Sequence, residues 1–565
     1  MCLLVCGFLN GGVFGAAMQA HGADLIIDRV QAVIKTRLDG GRSIKPLACQ
    51  GEMICGIQML PKAYANKNHR PLWIDALLRL ERAEALAEAI GRAGEDGLDP
   101  LDYHLEAISE LLAEVCEQSS AAGPASISPE RWADLDLILT DAFLLYGSHL
   151  AAGRVNPETL HTDWKINPIA VDLLPSLDHA TATGDIDAAL QKLRPAHNGY
   201  STLRNALARL RGLAAAKGWP MLDASQTLRP GDRGAAVGNL GQRLAATGDI
   251  EENGPGTDSF IFDAGIESAV RRFQRRNGLK VDGIVGGDTY GMLNVPVEQR
   301  IRQVVLNLER WRWLPHDLGT RYILVNTADF SLKAVEKGRI ELQMRVVVGR
   351  PARRSPVFSA SMTYLVLNPF WNVPTTIAVE DILPELQKDV SYLAPRGIRV
   401  FQNWDLDAPE IDPTTVDWQA YHANRFPFRL RQDPGPYNAL GRIKFMFPNP
   451  FAVYLHDTPD RSLFKQTQRD FSSGCIRVES PAPLADFVLS GNQCWPPEAL
   501  SEAIEKGDRR TIRLKRPVRV HLLYMTAWAD EAGVIQFRSD IYDRDRDLDR
   551  ALNQRKPNQP SGFVR

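Results

Sequence analysis

The sequence predicts a multidomain α+β protein in which a helical region, a compact three-helix module and a mainly β domain follow one another. Three observations carry that prediction. Between residues 61 and 217, apolar residues recur at helical spacing. Between 221 and 296, short helical stretches are separated by turns rich in Gly and Asp. From Arg321 the pattern changes to short apolar and β-branched runs. A chain of 565 residues, 44% hydrophobic and 24% charged, suits about three to four globular domains. A net charge of −2 supplies no global basic field, which argues against nucleic acid as a partner.

Residues 1–20 are rich in Cys, Gly and Ala, with Leu, Val and Phe. They read as the apolar stretch and small-residue end of a secretory leader, without the usual Lys or Arg ahead of it. No other apolar run approaches the ~20 residues of a membrane span. Residues 21–60 carry little signal. In the helical region, stretches 73–80, 85–90 and 135–144 place apolar residues on one face, and the Gly-Leu-Asp-Pro run at 97–100 reads as a stop followed by a fresh start. No catalytic cluster appears there, so residues 61–217 are predicted to be a supporting domain.

Within 221–296, a turn at 228–234 precedes helices at 237–244 and 266–274 and a closing Gly-rich stretch at 277–289. The Gly and Asp residues supply turns and caps. Ala269, Val270 and Phe273 are expected in its core rather than against a ligand. Residues 297–313 read as a connecting amphipathic helix. Val304, Val305, Leu308 and Trp311 mark its apolar face, and Arg302, Arg310 and Arg312 lie off it with snorkelling stems.

Strands are expected at 322–326, 331–335, 342–349 and 364–367, followed by Asn368-Pro369-Phe370-Trp371-Asn372-Val373-Pro374. Residues 376–440 interrupt the β domain with helical pieces and aromatic residues, and an insertion of that length is usually functional. A helix at 483–489 and strands at 518–528 and 534–537 follow. The charged tail at 543–565 reads as a solvated helix or disorder.

The chemistry concentrates around Cys475. An apolar run ends in Tyr454-Leu455-His456-Asp457-Thr458-Pro459, and Phe471-Ser472-Ser473-Gly474-Cys475-Ile476-Arg477-Val478 follows. A free cysteine titrates near pH ~8.5, so a thiolate nucleophile needs a neighbouring imidazole to take its proton. Gly474 permits a tight turn that aims amide N–H groups at an oxyanion. Arg477 can hold a carboxylate bidentately. Each residue alone has a bland reading as a buried thiol or a strand-end histidine; two adjacent strand ends would bring them together. The other cysteines are Cys2, Cys6, Cys49, Cys55, Cys116 and Cys494. Cys49 and Cys55 could close a small loop in an oxidising compartment, and Cys494 is expected to be a buried thiol. No His/Cys spacing suits zinc, so no metal is expected.

The pattern resembles the L,D-transpeptidases of bacterial cell walls, which carry His, a loop, then Ser-x-Gly-Cys-x-Arg. The matching residues are His456, Ser472, Gly474, Cys475 and Arg477. The common form has His before the Gly; Ser473 stands there here, as in the large Gram-negative, YcbB-like branch. The resemblance implies a mainly β catalytic domain over 320–528 with a capping insertion at 376–440, behind a helical scaffold. Residues 221–296 resemble a peptidoglycan-binding three-helix domain. The implied function is peptidoglycan 3–3 cross-linking through a Cys475 thioester, in the periplasm after export and without a cofactor. His456 would serve as base and then acid, Ser473 would orient the turn or His456, and amides near Gly474 and Cys475 would form the oxyanion hole. Arg477, Tyr454, Trp371 and Asn372, with Asn368 beside them, would line the substrate cleft. The implied partners are a donor tetrapeptide stem and an acceptor amine, with peptidoglycan synthases and a D,D-carboxypeptidase supplying them. Three rivals stand beside it: the same cysteine with water as acceptor, a non-catalytic wall-binding scaffold, against which the intact His456–Cys475–Arg477 set argues, and a papain-like protease, against which the order of His456 before Cys475 counts.

Overall fold

In a computed structural model of the chain, the described residues are 13–39, 48–49, 52–54, 58–165, 171–250, 260–490 and 495–554. The leader before residue 13, Cys55 of the expected Cys49–Cys55 pair, Cys494 and the tail beyond 554 lie outside them.

The helical region starts earlier than the sequence suggested. Helix α1 (Val13–Asp39) buries Ile26, Ile27, Val30 and Ile34 in the same core as helix α2 (Pro129–Ala152). Helix α2 starts at Ser128, whose hydroxyl accepts the Arg131 N–H, with Pro129 at the first helical position. It is the one helix among the described residues long and apolar enough to cross a membrane, and its apolar window is wholly buried inside the protein. Asp136 sits inside α2 at 0% exposure. It accepts N–H bonds from Leu72 and Trp73 and the Tyr64 hydroxyl, which offset desolvation only in part: its carboxyl is pushed up to about 6.

Helix α3 (Asn198–Ala215) closes this region, and α4 (Ala235–Ala245), α5 (Ala264–Arg276) and α6 (Gly287–Leu293) form the three-helix module. Ala269, Val270 and Phe273 lie in the module core. Helix α7 (Val297–Arg312) then packs along α3. The expectation of snorkelling arginines fails here, because Arg310 and Arg312 are each about 1% exposed. Arg312 reaches Glu309, the Asp96 carbonyl and the Tyr200 hydroxyl; Arg310 reaches Asp545. A helix wrapped by several elements has no solvent side for its charged face, so the charges are paired instead.

The β domain contains β1 (Arg321–Asn326), β2 (Ser331–Glu336), β3 (Arg339–Gly349), β4 (Phe358–Leu367), β5 (Ile443–Met446), β6 (Leu455–His456), β7 (Asp470–Ser472), β8 (Ile476–Val478) and β9 (Arg510–Leu523). The sheet order is β7-β3-β8-β6-β5-β4-β9-β1-β2, and β2 also pairs with β3. Eight strands therefore close on themselves, with β7 outside the ring. Val346, Leu365, Leu367, Phe445, Leu455, Ile476 and Val520 fill the interior. Helix α8 (Pro481–Leu489) adds Leu484, Ala485 and Val488 to that core. The late strand expected at 518–528 is two pieces: β9 runs back to Arg510, and Ala527–Ala529 pairs separately with Ile535–Phe537.

The insertion has its own four-stranded sheet, Trp371–Asn372, Arg429–Gln432, Ile398–Phe401 and Glu410–Ile411, and its own core around Val373, Leu386, Val400, Trp418 and Leu430. Past Asp543 the chain is a docked helix, α9 (Arg544–Asn553), rather than a solvated one. Arg544 is 0% exposed, with a 2.5 Å ion pair to Asp163 and a bond to the Ser355 carbonyl. The segment around Asp163 is itself joined to the barrel, since Val357 N–H donates to the Asp163 carbonyl and Lys165 N–H to the Val357 carbonyl.

Candidate active site

The site follows from strand register. β6 and β8 run parallel, with Leu455 opposite Ile476 and His456 opposite Arg477. Side chains alternate along a strand, so Leu455, Ile476 and Val478 point into the barrel, where each is 0% exposed. Tyr454, His456, Cys475 and Arg477 consequently share the other face. On the far side of β6, β5 pairs antiparallel and sets Lys444 opposite His456, on that same face.

Cys475 is a free thiol at the start of β8. Burial pushes its pKa above the ordinary thiol value, and Tyr454 through backbone and hydroxyl, Lys444 and Arg477 pull it back only in part. The Lys444 ammonium lies 3.9 Å from the Tyr454 ring centroid, which places one cation behind the phenol that faces the sulfur. His456 is 5% exposed, and burial, with Arg477 and Lys444 nearby, pushes its pKa down to about 3. Its Nδ1 lies 2.6 Å from the Asp457 carbonyl. A carbonyl only accepts, so Nδ1 carries the proton and Nε2 is left as a base. Both shifts favour the neutral forms, a thiol and an imidazole on one face of the β6–β8 pair. Iodoacetamide alkylation of Cys475 in the free protein should thus keep rising from about pH 7 to about pH 10; a plateau below about pH 7 would show a resting thiolate–imidazolium pair instead.

The turn before the thiol is held from below. Gly474 has φ +110°, a conformation that side chains rarely adopt. The Ser472 hydroxyl accepts the Gly474 N–H at 3.1 Å and donates to the Cys475 carbonyl at 2.5 Å. Ser355 donates to the Gly474 carbonyl at 2.8 Å, accepts the Gly349 N–H at 2.9 Å and gives its own N–H to the Tyr542 hydroxyl. The Gly474 N–H is thus already bonded, whereas the Cys475 N–H donates to no described residue. Ser473 is exposed and accepts from Arg353 at 2.9 Å, without a bond to His456. Orientation of the turn falls to Ser472. Arg353 also pairs with Glu380 and Asp381, and Arg350 pairs with Asp381, so the insertion is tied to the same turn.

A cavity of about 350 Å³ is lined by Asn372, Phe370, Lys444, Met446 and Arg509 among others; it meets the site through Lys444, and Tyr454, His456, Cys475 and Arg477 are not in its lining. Trp371 is instead half-buried against the insertion core. Asn368 is not a cleft wall: it is 0% exposed, and its amide binds the carbonyls of Ala503, Ile504 and Asp508. Arg477 is half-buried with only a 3.8 Å approach to the exposed Asp460, which leaves its fork available to a carboxylate. Lys444 and Ser355 were missed in the sequence. A lone Lys in an apolar run carries no mark, and Ser355 acts across 119 residues. Among the described residues no cluster of His, Cys, Asp and Glu could hold a metal.

Family models match residues 58–207 as a "Scaffold domain", 233–293 as a "Putative peptidoglycan binding domain" and 320–511 as an "L,D-transpeptidase catalytic domain". A "Putative L,D-transpeptidase" of Haemophilus influenzae is 33% identical over 250 residues, covering 44% of this chain and 49% of that protein. "N-acetylmuramoyl-L-alanine amidase CwlM" of Mycobacterium tuberculosis is 40% identical over 80 residues, 13% of this chain and 20% of that protein. The chain thus spans about half the length of the first relative and about a fifth of the second. A solved L,D-transpeptidase from Mycobacterium smegmatis is 10% identical, covering 36% of this chain and 58% of its own, at a TM-score of 0.18. One from Xylanimonas cellulosilytica is 15% identical, covering 53% and 98%, at 0.17.

Proposed function

We propose, for a chain that carries an L,D-transpeptidase catalytic domain behind a scaffold domain and a peptidoglycan binding domain, that it forms 3–3 cross-links in peptidoglycan through a thioester on Cys475. The observation that supports this reading above the others is the parallel pairing of β6 with β8. It sets a buried base, a thiol and an arginine fork on one face, next to the strand whose Lys444 lines a cavity.

In this reading His456 Nε2 takes the thiol proton as Cys475 Sγ attacks the carbonyl of the third stem residue, a diamino acid. The C–N bond to the terminal D-alanine breaks, and His456 returns the proton to the leaving amine. The Cys475 N–H receives the oxyanion. An acceptor amine then attacks the thioester carbonyl, His456 takes its proton, and the thiol is restored. Because imidazole and thiol are both neutral at rest, the proton moves only when a carbonyl is in place, which protects the sulfur from stray electrophiles. The Tyr454 hydroxyl and the Lys444 charge stabilise the thiolate as it forms. The substrate places the protein at the cell wall, in the periplasm, where stem tetrapeptides from a D,D-carboxypeptidase would supply the donor.

The test is intact mass of the full chain mixed with a disaccharide tetrapeptide, followed by analysis of the products. A transient adduct and a tripeptide–tetrapeptide dimer are expected. Tripeptide without dimer would reassign the acceptor to water, and no adduct would leave a wall-binding scaffold. Arg477→Ala should lower kcat/KM for the tetrapeptide by about 10²-fold while leaving iodoacetamide alkylation within about 2-fold. An equal loss in both assays would mean that Arg477 acts on the thiol and not on a substrate carboxylate.

A further inference from the structure

Between α3, the three-helix module and the Ala527–Phe537 hairpin lies a cavity of about 870 Å³ that shares no lining residue with the Lys444 cavity and none with the Cys475 site. Leu210, Trp219, Phe273 and Phe537 give it apolar walls. Three buried arginines face it: Arg243 at 2% exposure, Arg300 at 5% and Arg276 at 7%. Asp249, 4% exposed, is the one carboxylate in the lining, and Arg276 already binds both its oxygens, at 2.7 and 2.5 Å.

The partners of the other two arginines are neutral. Arg243 donates to the Leu293 carbonyl and the Thr247 hydroxyl. Arg300 donates to the side chains of Gln303 and Asn277 and to Met292. Neither has an ion pair of its own, and the Asp249 carboxylate that also attracts Arg243 is already held by Arg276; three buried arginines thus share one carboxylate, an arrangement that costs stability unless something anionic joins it. Burial and mutual repulsion push the Arg243 and Arg300 guanidiniums down to about 9. Aromatic rings fix the planes of all three: Arg243 lies 4.2 Å from the Trp219 centroid, Arg276 4.8 Å from Phe273 and Arg300 4.2 Å from Phe537. Arg243 Nη2 and Arg276 Nη1 donate to no described residue.

We propose that this cavity binds a small ligand bearing an oxyanion, a carboxylate or phosphate group carried on a partly apolar body. The oxyanion takes the free N–H groups of Arg243 and Arg276, with Arg300 supplying further charge, and the body lies on Trp219 and Phe537. The volume suits a ligand of that kind, and such sites favour domain junctions. Prearranged guanidinium planes suit an oxyanion better than ammonium groups would. The site does not depend on the acyl-transfer reading. Because its walls come from the module, α3 and the hairpin beside the barrel, an occupied site would also fasten the module to the rest of the protein.

The test uses the full chain carrying Cys475→Ala and Arg477→Ala, so that nothing is turned over and the catalytic face loses its own hold on a carboxylate. A disaccharide tetrapeptide, with free carboxylates, and inorganic phosphate are titrated separately by calorimetry and thermal unfolding at low salt. Arg243→Met and Arg300→Met each remove a buried charge that has no ion pair of its own. Both variants should unfold no earlier than the parent without ligand, yet bind at least one probe about 10-fold or more weakly. Weakening of the tetrapeptide alone would identify a wall carboxylate as the ligand group; weakening of both would show that a free oxyanion suffices. Binding of both probes unchanged by either substitution, or by neither probe to begin with, would overturn the proposal. So would variants that are less stable without ligand, because the arginines would then be structural.

Discussion

Cys475→Ala is expected to abolish the acyl adduct and to lower turnover of a disaccharide tetrapeptide by roughly 10⁴-fold or more. The expectation rests on what remains when the sulfur is gone. Ser472 is buried and its hydroxyl is spent on the Cys475 carbonyl, while Ser473 is exposed and held by Arg353. Neither has a base. His456, Lys444 and Arg477 would still surround the vacant position, so substrate affinity should survive, with KM changed far less than kcat. The substitution removes one half-buried atom, and the thermal unfolding midpoint should stay close to that of the parent protein. An adduct of stem-peptide mass on the variant would show that another side chain attacks, and the assignment of Cys475 would fall.

Gly349→Ala should destabilise the protein by about 3 kcal/mol and disable whatever still folds. A Cβ at Gly349 would lie 2.2 Å from the Arg353 carbonyl oxygen and 2.7 Å from the Ser355 nitrogen. Both are backbone atoms, so no side chain can swing aside to make room. The loop that would have to move carries Ser355, which supports the Gly474 carbonyl, and Arg353, which joins Ser473 to Asp381. The strain would therefore reach the nucleophile turn and the insertion together. Gly435→Ala is the control: nothing lies within 4 Å of a Cβ there, and a change under about 0.5 kcal/mol is expected. Chemical denaturation of both variants and alkylation of Cys475 would measure the two effects. Equal stability of the two variants would rule out the close approach at Gly349.

The legible part of the site is the part encoded in short range. Residues 454–456 and 475–477 each announce a strand by alternation, and the Ser-Ser-Gly turn leads the second out of a loop. The stretch between them is long enough for the crossover that parallel pairing needs. The three layers of the fold were legible for the same reason, since periods of 3.6 and 2 are local properties. Lys444 could not be found this way, because its place opposite His456 comes from the β5–β6 register and not from any motif. The charges of α7 and α9 misled in the opposite sense. Periodicity says which side of a helix is apolar, and it is silent on whether the polar side meets water or a partner such as Asp545 for Arg310 and Asp163 for Arg544. Asn368 sits next to a cleft in sequence but faces the backbone of residues 503–508, with φ +44°, because its amide closes that loop.

Tyr542 and Arg544 set an order of events during synthesis. Tyr542 bonds Ser355 and Gly349, and Arg544 bonds Asp163 across 381 residues of chain. A ribosome making this protein releases the turn at 472–475 well before it releases either of these side chains. Through that interval the reactive cysteine rides on a turn whose foundation has not yet been built. Contacts of such sequence separation are the slowest kind to close. A nascent polypeptide halted upstream of residue 542 therefore carries the sulfur on a turn that lacks the Tyr542 support beneath Ser355 and Gly349.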